Sequence, residues 1–201
     1  MLSEKYRDYY DDFKDITFMD YENWPDERWV DVSNSSWQNH IISEASRLKN
    51  LGAKGIFMDN FDVYYIASEE YECSNDFKEG IYQGCKTILE QLHALELSLL
   101  INSGSMFFRR LIEEESPDIN YIDWYAQECV FSTIIDYDHD VFARQEQEEK
   151  EYNLENIALM KDKSNILLIE YTKNEKLAKE IKKFSELNNF NYFISKKVNL
   201  E

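Results

Sequence analysis

Short apolar runs recur along this chain, each following a stretch of helical spacing and most of them stopping at a polar or acidic residue. The first is Gly55-Ile56-Phe57-Met58, which gives way to Asp59, Asn60 and Asp62. A run of this length after a helical pattern and a glycine reads as a strand buried on both faces. Similar runs lie at residues 97–102, at 119–125 continuing towards Gln127 and Glu128, at 166–171, and at 191–195. The spacing is helical ahead of the first run, at about 35–48, and between the runs at about 74–95, 104–115, 140–162 and 177–187. The order β-α-β-α-β-α-β-α-β requires parallel pairing, because each crossover between parallel strands needs a helix. The expected fold class is α/β, with about five to six βα units in a single domain over residues 1–201.

Four of the expected strands end in a group able to do chemistry: Asp59, Asn102, Glu128 and Tyr171. The C-terminal ends of parallel strands are where open sheets and (β/α) barrels keep their sites. Two carboxylates, an amide and a phenol on one rim suit an active site. Taken alone, each has a plainer reading, as a strand end meeting water or as the cap of the next helix.

The rest of the chain is less informative. Residues 3–14 carry loose helical spacing, and 21–32 read as an irregular piece because Pro25 makes a long helix there unfavourable. Ser35 and Gln38 resemble a capping box, with Trp37, Ile41, Ala45 and Leu48 on the core face behind them and Gly52 at the helix end. Phe77, Ile81, Cys85, Ile88, Leu89 and Leu92 share one face of the next helix, so Cys85 reads as core. Asp136-Tyr137-Asp138-His139-Asp140 resembles the start of a calcium loop, but Val141 and Gln147 stand where such a loop needs Gly and Glu. It reads as a solvated loop, and the charged run 145–151 as the solvent face of a helix.

A net charge of -18 argues against nucleic acid, whose phosphates need a basic surface, and suits a cationic substrate or simply solubility. No apolar run approaches the ~20 residues needed for a membrane span. Three cysteines without a CxxC pair argue against a zinc site or a disulfide framework, and no cofactor is expected. The opening Met1-Leu2-Ser3-Glu4 leads straight into charged residues and is not a secretory leader, and localisation is left open.

The ordered set Glu27-x-Trp29-Val30-Asp31-Val32, Trp37, residues 55–62, Asn102-x-Gly104, Glu128-Cys129-Val130-Phe131 and Glu170-Tyr171 resembles the glycoside hydrolase 114 barrels. These are the endo-α-1,4-polygalactosaminidases and their bacterial relatives. The resemblance implies a (β/α)8 TIM barrel and hydrolysis of α-1,4-linked galactosamine polymers, a cationic polysaccharide substrate. It carries the catalytic Asp over to Asp59, as nucleophile, and the catalytic Glu over to Glu128, as acid/base. In that setting Asn60, Asn102 and Tyr171 would contact a sugar or orient a carboxylate. Asp62, Asp31 and Glu27 would hold the ammonium of an amino sugar, though Asp31 and Glu27 equally well anchor their own loop. Trp29, with Trp24 and Trp124, would stack on a sugar face or fill the core. A complete barrel of this kind has eight strands in about 250 residues. The expectation is therefore a partial barrel, its first strands supplied by upstream sequence or a partner, with an inactive sugar-binding fragment as the alternative.

Overall fold

The computed structural model describes residues 1–22, 24–115 and 122–199. Two compact units make up the chain, Met1–Tyr121 and Ile122–Glu201.

The first unit opens with an antiparallel sheet where the sequence suggests loose helix and loop. Strands β1 (Leu2–Glu4), β2 (Thr17–Tyr21) and β3 (Trp24–Val30) lie in the order β1-β3-β2. A short helix α1 (Tyr10–Phe13) and a 3-10 turn at Lys14–Ile16 join β1 to β2. Pro25 is the residue least suited to a strand here. The partners of β2 jump from Arg28 to Trp24 between Asp20 and Tyr21, and Pro25 falls in that irregularity, where a residue without an N–H is tolerated.

Helix α2 (Ser35–Asn50) buries Trp37 and Ala45. Its cap is Asn34 and not Ser35: Asn34 Oδ1 accepts from the Ser36 N–H at 2.9 Å. Gln38 reaches back to donate to the Val32 carbonyl at 2.9 Å, and not to the residue a capping box would give it. Gly52 follows with φ +100°, as the sequence suggests. Strand β4 (Gly55–Met58) then pairs in parallel with β5 (Ser98–Asn102), Gly55 opposite Ser98 and Met58 opposite Ile101. Burial of β4 on both faces does not hold. Only Met58 is buried and Phe57 is 49% exposed, because β4 has a strand neighbour on one side only among the described residues.

Between these strands α3 (Val63–Tyr65) runs into a π-helical turn at Ile66–Glu70, and α4 (Asn75–Ala94) is capped by Ser74 Oγ. Ile81, Cys85, Ile88, Leu89 and Leu92 are fully buried on the face their spacing marks out. Burial pushes the Cys85 thiol up to about 12, in keeping with a core residue. A Cβ at Gly84 would lie 2.4 Å from the Val32 carbonyl oxygen, so only glycine allows α4 this close to the segment after β3. Helix α5 (Ser105–Glu115) completes the unit, with Phe107 and Phe108 packed on Phe61.

The second unit contains parallel strands β6 (Trp124–Glu128), β9 (Asn165–Tyr171) and β10 (Asn191–Ser195), with β9 in the middle. The strand expected at 119–125 begins outside the described residues; its described part starts at Trp124. Strands β7 (Ser132–Asp136) and β8 (Val141–Arg144) form an antiparallel hairpin. The expected loop at 136–140 is its turn, and the expected helix from 140 begins only at α6 (Gln147–Met160). Helix α7 (Glu175–Asn188) is capped by Asn174 and ends on Asn189 in the left-handed region, φ 56°.

The alternation read from the sequence therefore holds in chain order, as β4-α4-β5-α5-β6-α6-β9-α7-β10. Neither unit closes a ring of strands among the described residues. No helix among them is long and apolar enough to cross a membrane.

Candidate active site

In the first unit, β4 delivers Asp59 to an exposed position just past Met58. Its Oδ1 accepts two hydrogen bonds, from the Asn60 N–H at 2.8 Å and from Asn102 Nδ2 at 2.9 Å. Asn102 is the last residue of β5 and only 6% exposed, so the amide comes to Asp59 from a fixed strand end. Asn60 sits at φ 52°, a conformation asparagine tolerates better than most residues. The turn it makes sends Phe61 into the core, and the Phe61 N–H reaches the Asn102 carbonyl at 3.3 Å.

Asp62 serves the same corner differently. Its Oδ1 accepts from the Gly104 N–H at 2.9 Å, holding a β5–α5 turn in which Ser103 and Gly104 both have positive φ. Burial pushes the Asp62 carboxyl up, and the Gly104 N–H opposes this. Asp31 is likewise engaged locally, accepting from the Ser33 N–H and hydroxyl ahead of α2. Trp29 is 2% exposed and packs edge-on against Tyr21 at 5.3 Å, which leaves no open ring face.

A cavity of about 240 Å³ adjoins Asp59, lined also by Glu4, Glu27, Trp37 and Phe57. Glu4 and Glu27 stand opposite each other on β1 and β3. Glu4 is held below the usual carboxylate range by Arg7, Tyr6 and Tyr9, against the effect of its burial. Burial pushes Glu27 the other way, with the negative charges of Glu4 and Asp59 adding to it.

In the second unit, β6 ends in Glu128, and the Tyr171 hydroxyl donates to Glu128 Oε2 at 3.3 Å. Tyr171 ends the adjacent strand β9 and is 3% exposed. Residues on either side of Glu128 are tied down. The Tyr125 hydroxyl donates to Gln127 Oε1 at 2.9 Å, and Gln127 Nε2 donates to Asn153 Oδ1 at 3.2 Å. Cys129 adopts φ 55°, and its carbonyl accepts from Gln145 and Asn153. Burial pushes the Cys129 thiol up, and the charges of Glu128 and Glu170 add to this.

Three features here lie outside what the sequence predicts. The β7–β8 hairpin brings Phe142 within 5.9 Å of the Tyr171 ring, and Tyr137 close enough to Glu128 to feel its charge. A β-branched run, Thr133-Ile134-Ile135, before an Asp-rich turn is the signal that could have found the hairpin. Glu170 is fully buried and accepts from the N–H groups of Val130, Phe131 and Ser132. Asp136 spends its carboxylate on the Asp138 and His139 N–H groups and the His139 ring. Among the described residues no group of three or more His, Cys, Asp or Glu is arranged to hold a metal ion.

Asp59 is thus gripped by Asn102 in one unit and Glu128 by Tyr171 in the other, each carboxylate at a strand end and each donor at the end of the neighbouring strand. The structure of the glycoside hydrolase domain of PelA from Pseudomonas aeruginosa is similar to this chain at 19% identity and a TM-score of 0.77, covering 99% of this chain and 76% of that one. Aspergillus fumigatus Ega3, solved in complex with galactosamine, is similar at 16% identity and a TM-score of 0.70, covering 100% of this chain and 72% of that one. At these identities the likeness shows the fold, that of the (β/α)-barrel glycoside hydrolases. None of the curated proteins compared with the sequence matches it. The family model Glycoside-hydrolase family GH114 matches residues 3–199, nearly the whole chain, and on that match the chain belongs to glycoside-hydrolase family GH114.

Proposed function

We propose that this chain hydrolyses an α-1,4-linked galactosamine-type polysaccharide with retention, using Asp59 as nucleophile and Glu128 as acid/base. The observation that carries the reading is the pairing just described, in which a buried donor fixes each strand-end carboxylate. Both described donors to Asp59 use Oδ1, which leaves Oδ2 for the attack on an anomeric carbon. In the first step a bond forms from Asp59 to that carbon, the glycosidic C–O bond breaks, and Glu128 gives its proton to the leaving oxygen. In the second step Glu128 takes a proton from water, the water oxygen attacks the same carbon, and Asp59 is released. Tyr171 and Asn102 act by orienting these carboxylates. Asn60 shapes the turn that presents Asp59, while Asp62, Asp31 and Trp29 contribute to the site as scaffold.

An amino sugar fits the acidic cavity beside Asp59. Glu4, already paired with Arg7, stands opposite Glu27, and both line this cavity together with Asp59. The ammonium of a galactosamine residue is a charge-assisted donor of the right sign. Ega3, of the same fold, was solved with galactosamine.

The test is reducing-end release from partly deacetylated galactosamine polymer by wild type, Glu128→Gln and Asp59→Asn. Loss of about 10²-fold or more in both variants is expected. Activity equal to wild type in either would overturn the assignment of that residue.

A further inference from the structure

Glu170 ends the β9 hydrophobic run one residue before Tyr171, and it has no exposed surface. Its Oε1 accepts from the Val130 and Phe131 N–H groups at 3.0 Å each. Its Oε2 accepts from the Phe131 N–H at 3.2 Å, the Ser132 N–H at 3.0 Å and the Ser132 hydroxyl at 2.5 Å. The Ser132 oxygen in turn accepts from the Tyr171 N–H at 2.9 Å. Every described donor to Glu170 is neutral. A buried carboxylate without a cation is costly, and an apolar residue would suit the core better. What the carboxylate supplies in exchange is geometry. Three consecutive N–H groups converge on it, and an extended strand would point successive N–H groups to opposite sides.

Those N–H groups belong to the segment that follows Glu128 by two to four residues, and Tyr171 is the phenol that donates to Glu128. One carboxylate therefore fixes both the backbone leaving Glu128 and, through Ser132, the backbone of its hydrogen-bond donor. We infer that Glu170 is the positioning residue of the Glu128 acid/base, a buried clamp that sets the pose of Glu128 and Tyr171 together. It does not touch substrate. The inference rests on the proposed role of Glu128.

An amide is a poor substitute for the carboxylate: the NH2 end of a glutamine side chain would face amide N–H groups, with the Ser132 oxygen as the acceptor beside it. Ser132→Ala is gentler. It removes the hydroxyl that links Glu170 to Tyr171 and leaves the three amide N–H donors in place. The experiment measures kcat and KM on partly deacetylated galactosamine polymer for wild type, Glu128→Gln, Glu170→Gln and Ser132→Ala, with near-ultraviolet circular dichroism giving the folded fraction.

A misplacement of about 1 Å costs up to 10²-fold in turnover. Ser132→Ala is expected to lower kcat per folded molecule about tenfold with KM within about twofold, and Glu170→Gln to lower it further. If Glu128→Gln is inactive while folded Ser132→Ala keeps wild-type kcat, the clamp is overturned and the role of Glu128 stands. The clamp is equally overturned if the variants lose only folded fraction and not kcat. If Glu128→Gln itself is fully active, both readings fall.

Discussion

Glu170→Gln also removes a titration whose effect on stability has a definite sign. Burial raises the Glu170 carboxyl from the ordinary glutamate value of 4.5 to about 7, against the pull of the Ser132, Phe131 and Val130 hydrogen bonds. The folded chain thus holds this proton more tightly than the unfolded chain does. The stability it contributes is present in full below pH 4.5 and is lost as pH rises through about 7. At about 1.4 kcal/mol per pH unit, the loss is about 3 kcal/mol. That is a large share of the roughly 5–15 kcal/mol that holds a typical domain folded. The net charge of -18 also weakens the protein as pH rises, but wild type and variant share that effect nearly equally. Urea unfolding followed by circular dichroism, from about pH 4.5 to 8, isolates the difference. Across that range the wild type should lose about 3 kcal/mol more than Glu170→Gln does. Parallel curves would refute the reasoning. A wild type that gains stability relative to the variant as pH rises would show that the hydrogen bonds to the carboxylate outweigh its burial.

Other expectations follow from single contacts. Asn102→Ala removes the 2.9 Å hydrogen bond to Asp59, and loss of a charge-assisted bond of about 1.5–3 kcal/mol should lower kcat/KM on the galactosamine polymer about 10- to 100-fold. Tyr171→Phe deletes the 3.3 Å donation to Glu128, so kcat should fall about fivefold. Gly84→Ala drives a Cβ to 2.4 Å from the Val32 carbonyl oxygen, which should lower the free energy of urea unfolding by about 2 kcal/mol.

Much of the parallel framework is legible in the sequence because its signal is local. Ser74 caps α4 and the buried face of that helix follows the 3.6-residue period, while 191–195 is a strand as its apolar run suggests. What the sequence conceals depends on partners distant in the chain. Strand β3 contains a proline and no clean alternation, and it becomes a strand because β1 and β2 pair with it on either side. Asn34 and Ser35 are both good caps, and only geometry selects Asn34. Phe57 looks like core in an apolar run, but its exposure is set by which neighbours β4 has. Asp59, Asn102, Glu128 and Tyr171 stand out as strand ends, and the hydrogen bonds joining them in pairs follow from the registers of β4 on β5 and β6 on β9. Glu170 stands out only as part of the family resemblance, because a carboxylate at the end of a hydrophobic strand gives no hint that its donors lie 38 to 40 residues earlier.

That separation bears on the order in which the molecule assembles. The bonds from Val130, Phe131 and Ser132 to Glu170 close loops of 40, 39 and 38 residues, and the β7–β8 hairpin and α6 lie inside them. Closing such loops costs entropy before any contact repays it, so these are late events relative to hairpin and helix formation. Strand β6 and its Glu128 are synthesised early, but their surroundings are finished only once β9 has docked. A nascent chain that has not yet reached residue 170 carries Glu128 without its clamp, so the surroundings of the proposed acid/base are among the last features this unit acquires as it folds.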